Sequence, residues 1–241
     1  MKTVRRLVML ASALMAISGS ANATILTVFD GIAAGSASFT NIVTGAGATV
    51  TTDIWAGIPS NVLTVSRPGY TITRNDGNNI SPSGYGSMSG QVVDISPNGS
   101  FPGQNGTISA GITFLFSAAV NSFGFEVGDW ATCCFNPTTD LFISFDDGAP
   151  IMVASADESA DGIFGGVNEI FVAAFNDAGN FTKVQFWGNG SGEFLVIGGQ
   201  LKYALVGRGT LPPNGVPEPL SMALVGIGLL GMGLSRRRKS S

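Results

Sequence analysis

The chain has 241 residues, enough for one large domain or two small ones; only 12% of them are charged, 34 are glycine and none is histidine. Without histidine, Ser-His-Asp and Cys-His catalysis and His-ligated zinc are excluded. The formal net charge is −4, but residues 24–215 hold five basic and fifteen acidic residues, a net charge of −10, so this body repels a phosphate backbone and nucleic acid is excluded as a partner.

In chain order, Lys2, Arg5 and Arg6 precede the largely apolar run 7–17, and Ala21-Asn22-Ala23 follows. A positive start, a short apolar stretch and a small-x-small site predict a signal peptide over 1–23, cut by signal peptidase after Ala23 with Ala21 and Ala23 as the residues read. As a helix, eleven residues reach roughly 16 Å, about half of a bilayer core, so this run is too short to anchor the chain.

Residues 24–206 are predicted to form one all-β domain, a two-sheet β-sandwich of jelly-roll type, with no convincing helical periodicity. Short runs rich in Val, Ile, Thr and Phe recur between Gly, Asn, Asp and Pro. The candidate strands are 25–29, 48–52, 61–65, 70–74, 91–95, 107–116, 122–127, 141–145, 151–154, 170–174, 183–187 and 194–205. In Leu141-Phe142-Ile143-Ser144-Phe145 the odd positions, 141, 143 and 145, are expected to face the core. Residues 75–106, rich in Gly, Ser, Asn and Pro, read as a long loop inside the domain.

Several groups could carry chemistry. Trp130, Asp129 and Phe135 share one loop after strand 122–127, where an aromatic ring beside an acid can stack on a sugar while the acid takes its hydroxyls; the alternative is that Trp130 and Phe135 cap the core. Trp55, Trp187 and Tyr85 are weaker candidates of the same kind. Cys133 and Cys134 are the only cysteines and are adjacent, which leaves a strained vicinal disulfide, two free thiols or intermolecular bonds. Asp146-Asp147-Gly148 reads as a hairpin turn at Asp147-Gly148. Asp157, Ser159 and Asp161, followed by Gly162, resemble the first half of a calcium loop, but position 12 is Asn168 and the acid, Glu169, falls one later. Calcium is thus the one candidate cofactor. Glu126, Asp129, Glu169 and Glu193 lie near strands, and glycoside hydrolysis would need two of them roughly 5–10 Å apart.

Residues 207–215, rich in Gly and Pro, are expected to be a linker. The tail 216–241 opens with Val216-Pro217-Glu218-Pro219, continues as an apolar helix over 220–235, and ends in the basic cluster 236–239 with Arg236, Arg237 and Arg238. The apolar part 220–234 reaches roughly 22 Å against the roughly 30 Å of a hydrocarbon core, a short transmembrane helix, and the basic cluster holds its end in the cytoplasm.

Proline-glutamate-proline, a short Gly/Leu-rich span and a terminal arginine cluster, in that order at the C-terminus, resemble the PEP-CTERM sorting tail. The resemblance implies that exosortase, a membrane protease-transpeptidase, recognises Pro217, Glu218 and Pro219, and that the protein belongs to a Gram-negative bacterium making exopolysaccharide. It further implies an inner-membrane-anchored precursor whose mature form reaches the cell envelope or extracellular matrix. Residues 107–205 are similar to jelly-roll modules of the carbohydrate-binding type, a familiar cargo of such tails. Many relatives carry Asp-Asn in the closing strand where this chain has Ile197-Gly198-Gly199-Gln200-Leu201. Three readings of the body follow: a non-catalytic surface or matrix protein beside exopolysaccharide, a calcium-dependent carbohydrate-binding module, and a carbohydrate-active hydrolase. The first is the expected one.

Overall fold

The computed structural model describes residues 23–95, 108–132, 139–189 and 195–212. The elements are β1 (Ile25–Gly31), α1 (Ile32–Gly45), β2 (Thr51–Ile54), β3 (Thr64–Arg67), β4 (Tyr70–Arg74), β5 (Pro82–Ser83) and β6 (Val92–Ile95). They continue as β7 (Ile112–Val120), β8 (Ser122–Gly128), β9 (Thr139–Phe145), β10 (Ile151–Ala156), β11 (Glu169–Asn176), β12 (Phe181–Gly188) and β13 (Leu195–Ala204). Among the described residues, one sheet has seven strands in the order β1-β11-β8-β13-β6-β5, with β2 pairing the far half of β13; the other has six, β10-β9-β12-β7-β4-β3. Every pairing among these strands is antiparallel. This is the expected two-sheet sandwich.

Alternation builds the core between the sheets. Leu141, Ile143 and Phe145 are buried, and Phe114 of β7, Phe123 and Phe125 of β8 and Phe186 of β12 form a chain of rings with centroids 4.7, 5.2 and 4.8 Å apart. Such aromatic contacts add to the area they remove from water. The loops that follow β8 and β10 carry Asp129, Asp157, Glu158 and Asp161, while Asp94 lies in β6 and Asp140 in β9.

The structure corrects the sequence reading in three places. First, 32–45 is a helix. Its buried residues Gly35, Phe39 and Val43 recur every fourth position, a stripe one residue wide in a segment otherwise full of Gly, Ser, Thr and Ala. Two of its threonines also bond their hydroxyls to carbonyls a turn earlier, Thr40 to Ser36 and Thr44 to Thr40. Propensity alone does not specify such a helix; the outer face of the seven-stranded sheet does. Phe39 packs on Phe171 and Phe175, with centroids 6.1 and 4.9 Å away, and a Cβ on Gly35 would stand 2.8 Å from that of Phe171. With both faces covered, seven successive residues of β11, from Glu169 through Phe175, are buried.

Second, residues 207–212 are not a free linker. Leu211 is buried in the cluster under α1 with Val28, Phe39, Val43 and Val206, and Asn121 clasps the backbone of Val206 from both sides at 2.8 and 3.0 Å. Third, the β9–β10 turn is centred one residue earlier than expected. Asp146 and Asp147 both have positive φ (46° and 59°) and the Gly148 N–H returns to the Phe145 carbonyl at 2.9 Å, as a type I′ turn requires.

Candidate functional site

The candidate site lies on the outer face of the seven-stranded sheet, beside α1. Phe123, Phe125 and Val127 of β8 point into the core, so Glu126 and Gly128 point outward; yet all seven residues of β8 are buried. The outward face here is covered by the loop 84–91, laid flat along the sheet. Two carboxylates hold it there. Glu126 accepts the Ser89 N–H at 2.7 Å and the Ser89 hydroxyl at 2.5 Å, and also the N–H of Gln200. Glu169 accepts the Ser87 N–H at 3.1 Å and hydroxyl at 3.0 Å. The fit needs glycine: a Cβ at Gly86 would overlap Glu169, and one at Gly199 would overlap Glu126. Both glycines have positive φ.

Gly199 also belongs to a bulge. The register of β13 shifts between Gly198 and Leu201, so residues 195–198 pair with β6 and residues 200–203 with β2. Trp55 lies over Gly198, where a Cβ would collide with the indole. This is the stretch where the sequence departs from its resemblance, and its glycines make room for Trp55 and Glu126.

The loop presents Tyr85. Its ring rests on Gly128, whose absent Cβ would lie 2.6 Å from ring carbon Cδ1, and its hydroxyl donates to Asp129 Oδ1 at 3.1 Å. The half-buried tyrosine thus stands beside the half-buried Asp129, and the charge of the exposed Asp94, on β6 beyond β13, acts on Asp129. Burial pushes the Tyr85 hydroxyl up to about 12, and the Asp129 charge adds to it. Burial likewise raises the Asp129 carboxyl, partly offset by the tyrosine hydroxyl, and raises that of Asp94 against the pull of Arg74. Glu126 is raised by burial too, with the Ser89 donors opposing. An aromatic face beside one carboxylate acceptor, with a second acid acting on that carboxylate, can hold the apolar face of a pyranose ring and take hydrogen bonds from its hydroxyls.

The sequence-predicted residues fall as follows. Asp129 is in this site, but Trp130 is not exposed to a ligand. It is 1% exposed, sits in the main core edge-on to Phe29 at 5.5 Å, and its Nε1 has no hydrogen-bond partner among the described residues. A ring without an exposed face cannot stack on a sugar; Tyr85 is the aromatic beside the acid instead. Asp157, Ser159 and Asp161 share a turn in which Asp161 Oδ2 accepts the N–H groups of Asp157 (2.8 Å) and Glu158 (3.1 Å), so this carboxylate caps its own loop. The turn is braced on the Ala131 carbonyl, which accepts from Ala160 and Gly162. Among the described residues no three acids or cysteines converge as metal ligands. Glu126 and Glu169 are 0% and 4% exposed and engaged by the loop, so neither stands open to a substrate. Phe135, Cys133, Cys134, Glu193, Ala21 and the tail lie outside the described residues. Among those residues no helix is long and apolar enough to cross a membrane.

Ser87, Ser89 and Gly86 escaped sequence reading because they sit in a stretch that reads only as loop. The available signal was Glu126 itself, an acid amid the aromatic run Phe123-Gly124-Phe125. An acid at an outward position ordinarily implies solvent, and only the covering loop makes it a buried anchor.

A second polar network positions β2 against β4. Asp53 takes two bonds from Arg67 at 2.5 and 2.9 Å and one from the Tyr70 hydroxyl at 2.6 Å, while Tyr70 accepts from Trp55 Nε1 at 2.8 Å. Burial pushes the Asp53 carboxyl up, but these donors outweigh it and hold it below its ordinary value. The network fixes Trp55 beneath the bulge and is structural.

A comparison with curated proteins finds no match. Among solved structures, the chain is similar to a variant of CBM29-2, a family 29 carbohydrate-binding module, at 14% identity and TM-score 0.33, over 65% of this chain and 92% of that one. It is also similar to the enzymatically active domain of tailspike protein 4 of bacteriophage CBA120 (14%, TM-score 0.25, 69% and 20% of the two chains). A family two carbohydrate esterase from Cellvibrio japonicus matches at 12% and TM-score 0.17, over 71% and 37%. Overlaps this loose carry no argument about ligand or activity. The C-terminal region is different: residues 215–239 are a PEP-CTERM protein-sorting motif.

Proposed function

We propose that this protein is an exported, exosortase-sorted protein of the cell surface or exopolysaccharide matrix, whose β-sandwich contacts polysaccharide without catalysing its turnover. The sorting motif at residues 215–239 carries the first half of this reading. The exchange of Pro217, Glu218 and Pro219 for alanine in the producing bacterium tests it. The altered chain is expected to stay in the membrane fraction with its tail intact, whereas the natural protein leaves that fraction without it. Equal distribution and equal C-terminal mass of the two would overturn the reading.

Polysaccharide contact is supported by the Tyr85–Asp129–Asp94 surface, which offers an aromatic face and acceptors; the cation that reaches it among the described residues is Arg74, which comes from β4 of the other sheet and donates to the Asp94 carbonyl at 3.0 Å. Arg74 is itself paired with Asp76 at 2.5 Å. Such a surface suits neutral, hydroxyl-rich chains over acidic ones. The absence of catalysis is supported by Glu126 and Glu169, whose oxygens serve the loop. Tyr85→Ala is expected to weaken retention in a gel containing the host's own exopolysaccharide by about tenfold, the loss of roughly 1.4 kcal/mol, with the melting temperature little changed. Unaltered retention of a folded Tyr85→Ala protein would remove this surface from the proposal.

A further inference from the structure

Asp177, in the turn between β11 and β12, is a carboxylate with no exposed surface. The ion pairs among the described residues join Arg67 to Asp53, Arg74 to Asp76 and Lys183 to Asp147, and none includes Asp177. Its Oδ1 accepts the N–H of Thr24, its Oδ2 accepts the N–H of Leu211 at 3.4 Å, and its own N–H donates to the Thr24 carbonyl at 3.2 Å. Among the described residues the donors to its side chain are two neutral amides, one of them at 3.4 Å, which compensate a buried charge less fully than a hydrogen-bonded cation does.

Thr24 directly follows Ala21-Asn22-Ala23, the expected signal-peptidase site. Hydrolysis of the Ala23–Thr24 bond consumes one water, leaves a carboxylate on Ala23 and converts the Thr24 amide nitrogen into an α-ammonium. That nitrogen already sits on Asp177. We propose that Asp177 is the docking site for the α-ammonium created by signal-peptide removal, and that its second oxygen ties this event to the segment leading into the sorting motif. Leu211 is buried under α1, and Pro212 is followed by only four residues before Pro217. The processed N-terminus and the base of the sorting tail therefore share one carboxylate. Removal of the signal peptide completes the clasp, and the sorting enzyme then meets a tail emerging from a closed body.

The inference rests on the signal-peptide reading. The test uses the chain 24–241 in detergent micelles, released from a fusion so that it begins at Thr24, beside the same chain with one alanine placed ahead of Thr24. The added residue displaces the ammonium and is expected to lower the folding equilibrium constant by roughly tenfold, the difference between a charge-assisted and a neutral hydrogen bond. In Asp177→Asn the two chains should differ little. A measurement on the unmutated protein covers the case in which Asp177→Asn fails to fold: the Thr24 α-amine should react with a limiting acylating reagent at least about tenfold more slowly when folded than when unfolded in urea, since the ion-paired form is not nucleophilic. Equal stability of the two chains, or equal reactivity folded and unfolded, overturns the clasp. The mass of the exported protein separates the two readings: a start elsewhere than Thr24 sinks the proposal through the cleavage site, whereas a start at Thr24 with no effect of the added alanine sinks the clasp alone.

Discussion

Glu126→Ala should destabilise the protein by about 3 kcal/mol, because it removes the acceptor of three hydrogen bonds to a charged group, from the Ser89 N–H, the Ser89 hydroxyl and the Gln200 N–H. For a domain of this size that is a fall of roughly 6–12 °C in Tm. The loop 84–91 loses its anchor in the same step, so Tyr85 is released from Gly128 and polysaccharide retention should fall with stability. Glu126→Gln keeps one acceptor and the shape and should cost less. It also separates charge from packing through pH. Burial raises the Glu126 carboxyl above its ordinary 4.5. A group raised in the folded state holds its proton longer there than in the unfolded chain, so stability falls as pH climbs from 4.5 through the raised value. Glu126→Gln should flatten this decline without abolishing it, since Asp94 and Asp129 are raised in the same direction. Melting curves from pH 4 to 8 decide the matter. A Glu126→Ala protein within about 0.5 kcal/mol of the unaltered one, the range of ordinary surface changes, would show that the loop is held by something other than this carboxylate.

Phe39→Ala carries a still larger expected cost, about 3–5 kcal/mol, the usual range for deleting a buried phenylalanine. Phe39 has no exposed surface and its ring fills the space over Phe171 and Phe175. The alanine cannot reach them, and the helix cannot settle closer, because Gly35 already brings its backbone against Phe171. The void therefore stays open, or α1 lifts and exposes an apolar strip of the seven-stranded sheet. Denaturant unfolding gives the cost, and binding of a dye specific for exposed apolar surface distinguishes a void from a lifted helix. A loss below about 1 kcal/mol would mean that α1 contributes little to holding the sandwich together.

These two residues also mark where sequence reading stops. Phe39 lies in a segment without a usable helical pattern, since its stripe is a single residue wide, and its partners Phe171 and Phe175 are more than a hundred residues away. In the sequence Glu126 is one of four acids near strands that could serve hydrolysis, and only the loop 84–91 laid over it makes it a buried anchor. Trp130 and Tyr85 exchange places for the same reason. Both are aromatic residues near Asp129 in the fold, and only the packing of Phe29 and the turn 157–162 sends the tryptophan inward.

What the sequence by itself determined is what short-range pattern can encode. Period-two alternation in runs such as 141–145 marks strands and their core-facing residues, and the clustering of Gly, Asn and Asp marks the turns between them. The sorting motif at 215–239 is likewise a linear signal, read by an enzyme as residues in order, so it needs no fold to be legible. Tertiary structure alone decided which outward faces are wet. The helix over β11, the loop over β8 and the segment 206–212 are each held by partners remote in sequence: Phe171, Glu126 and Glu169, and Asn121 with Asp177. Burial is a property of what a residue meets across space, and a pattern of neighbours along the chain does not contain it.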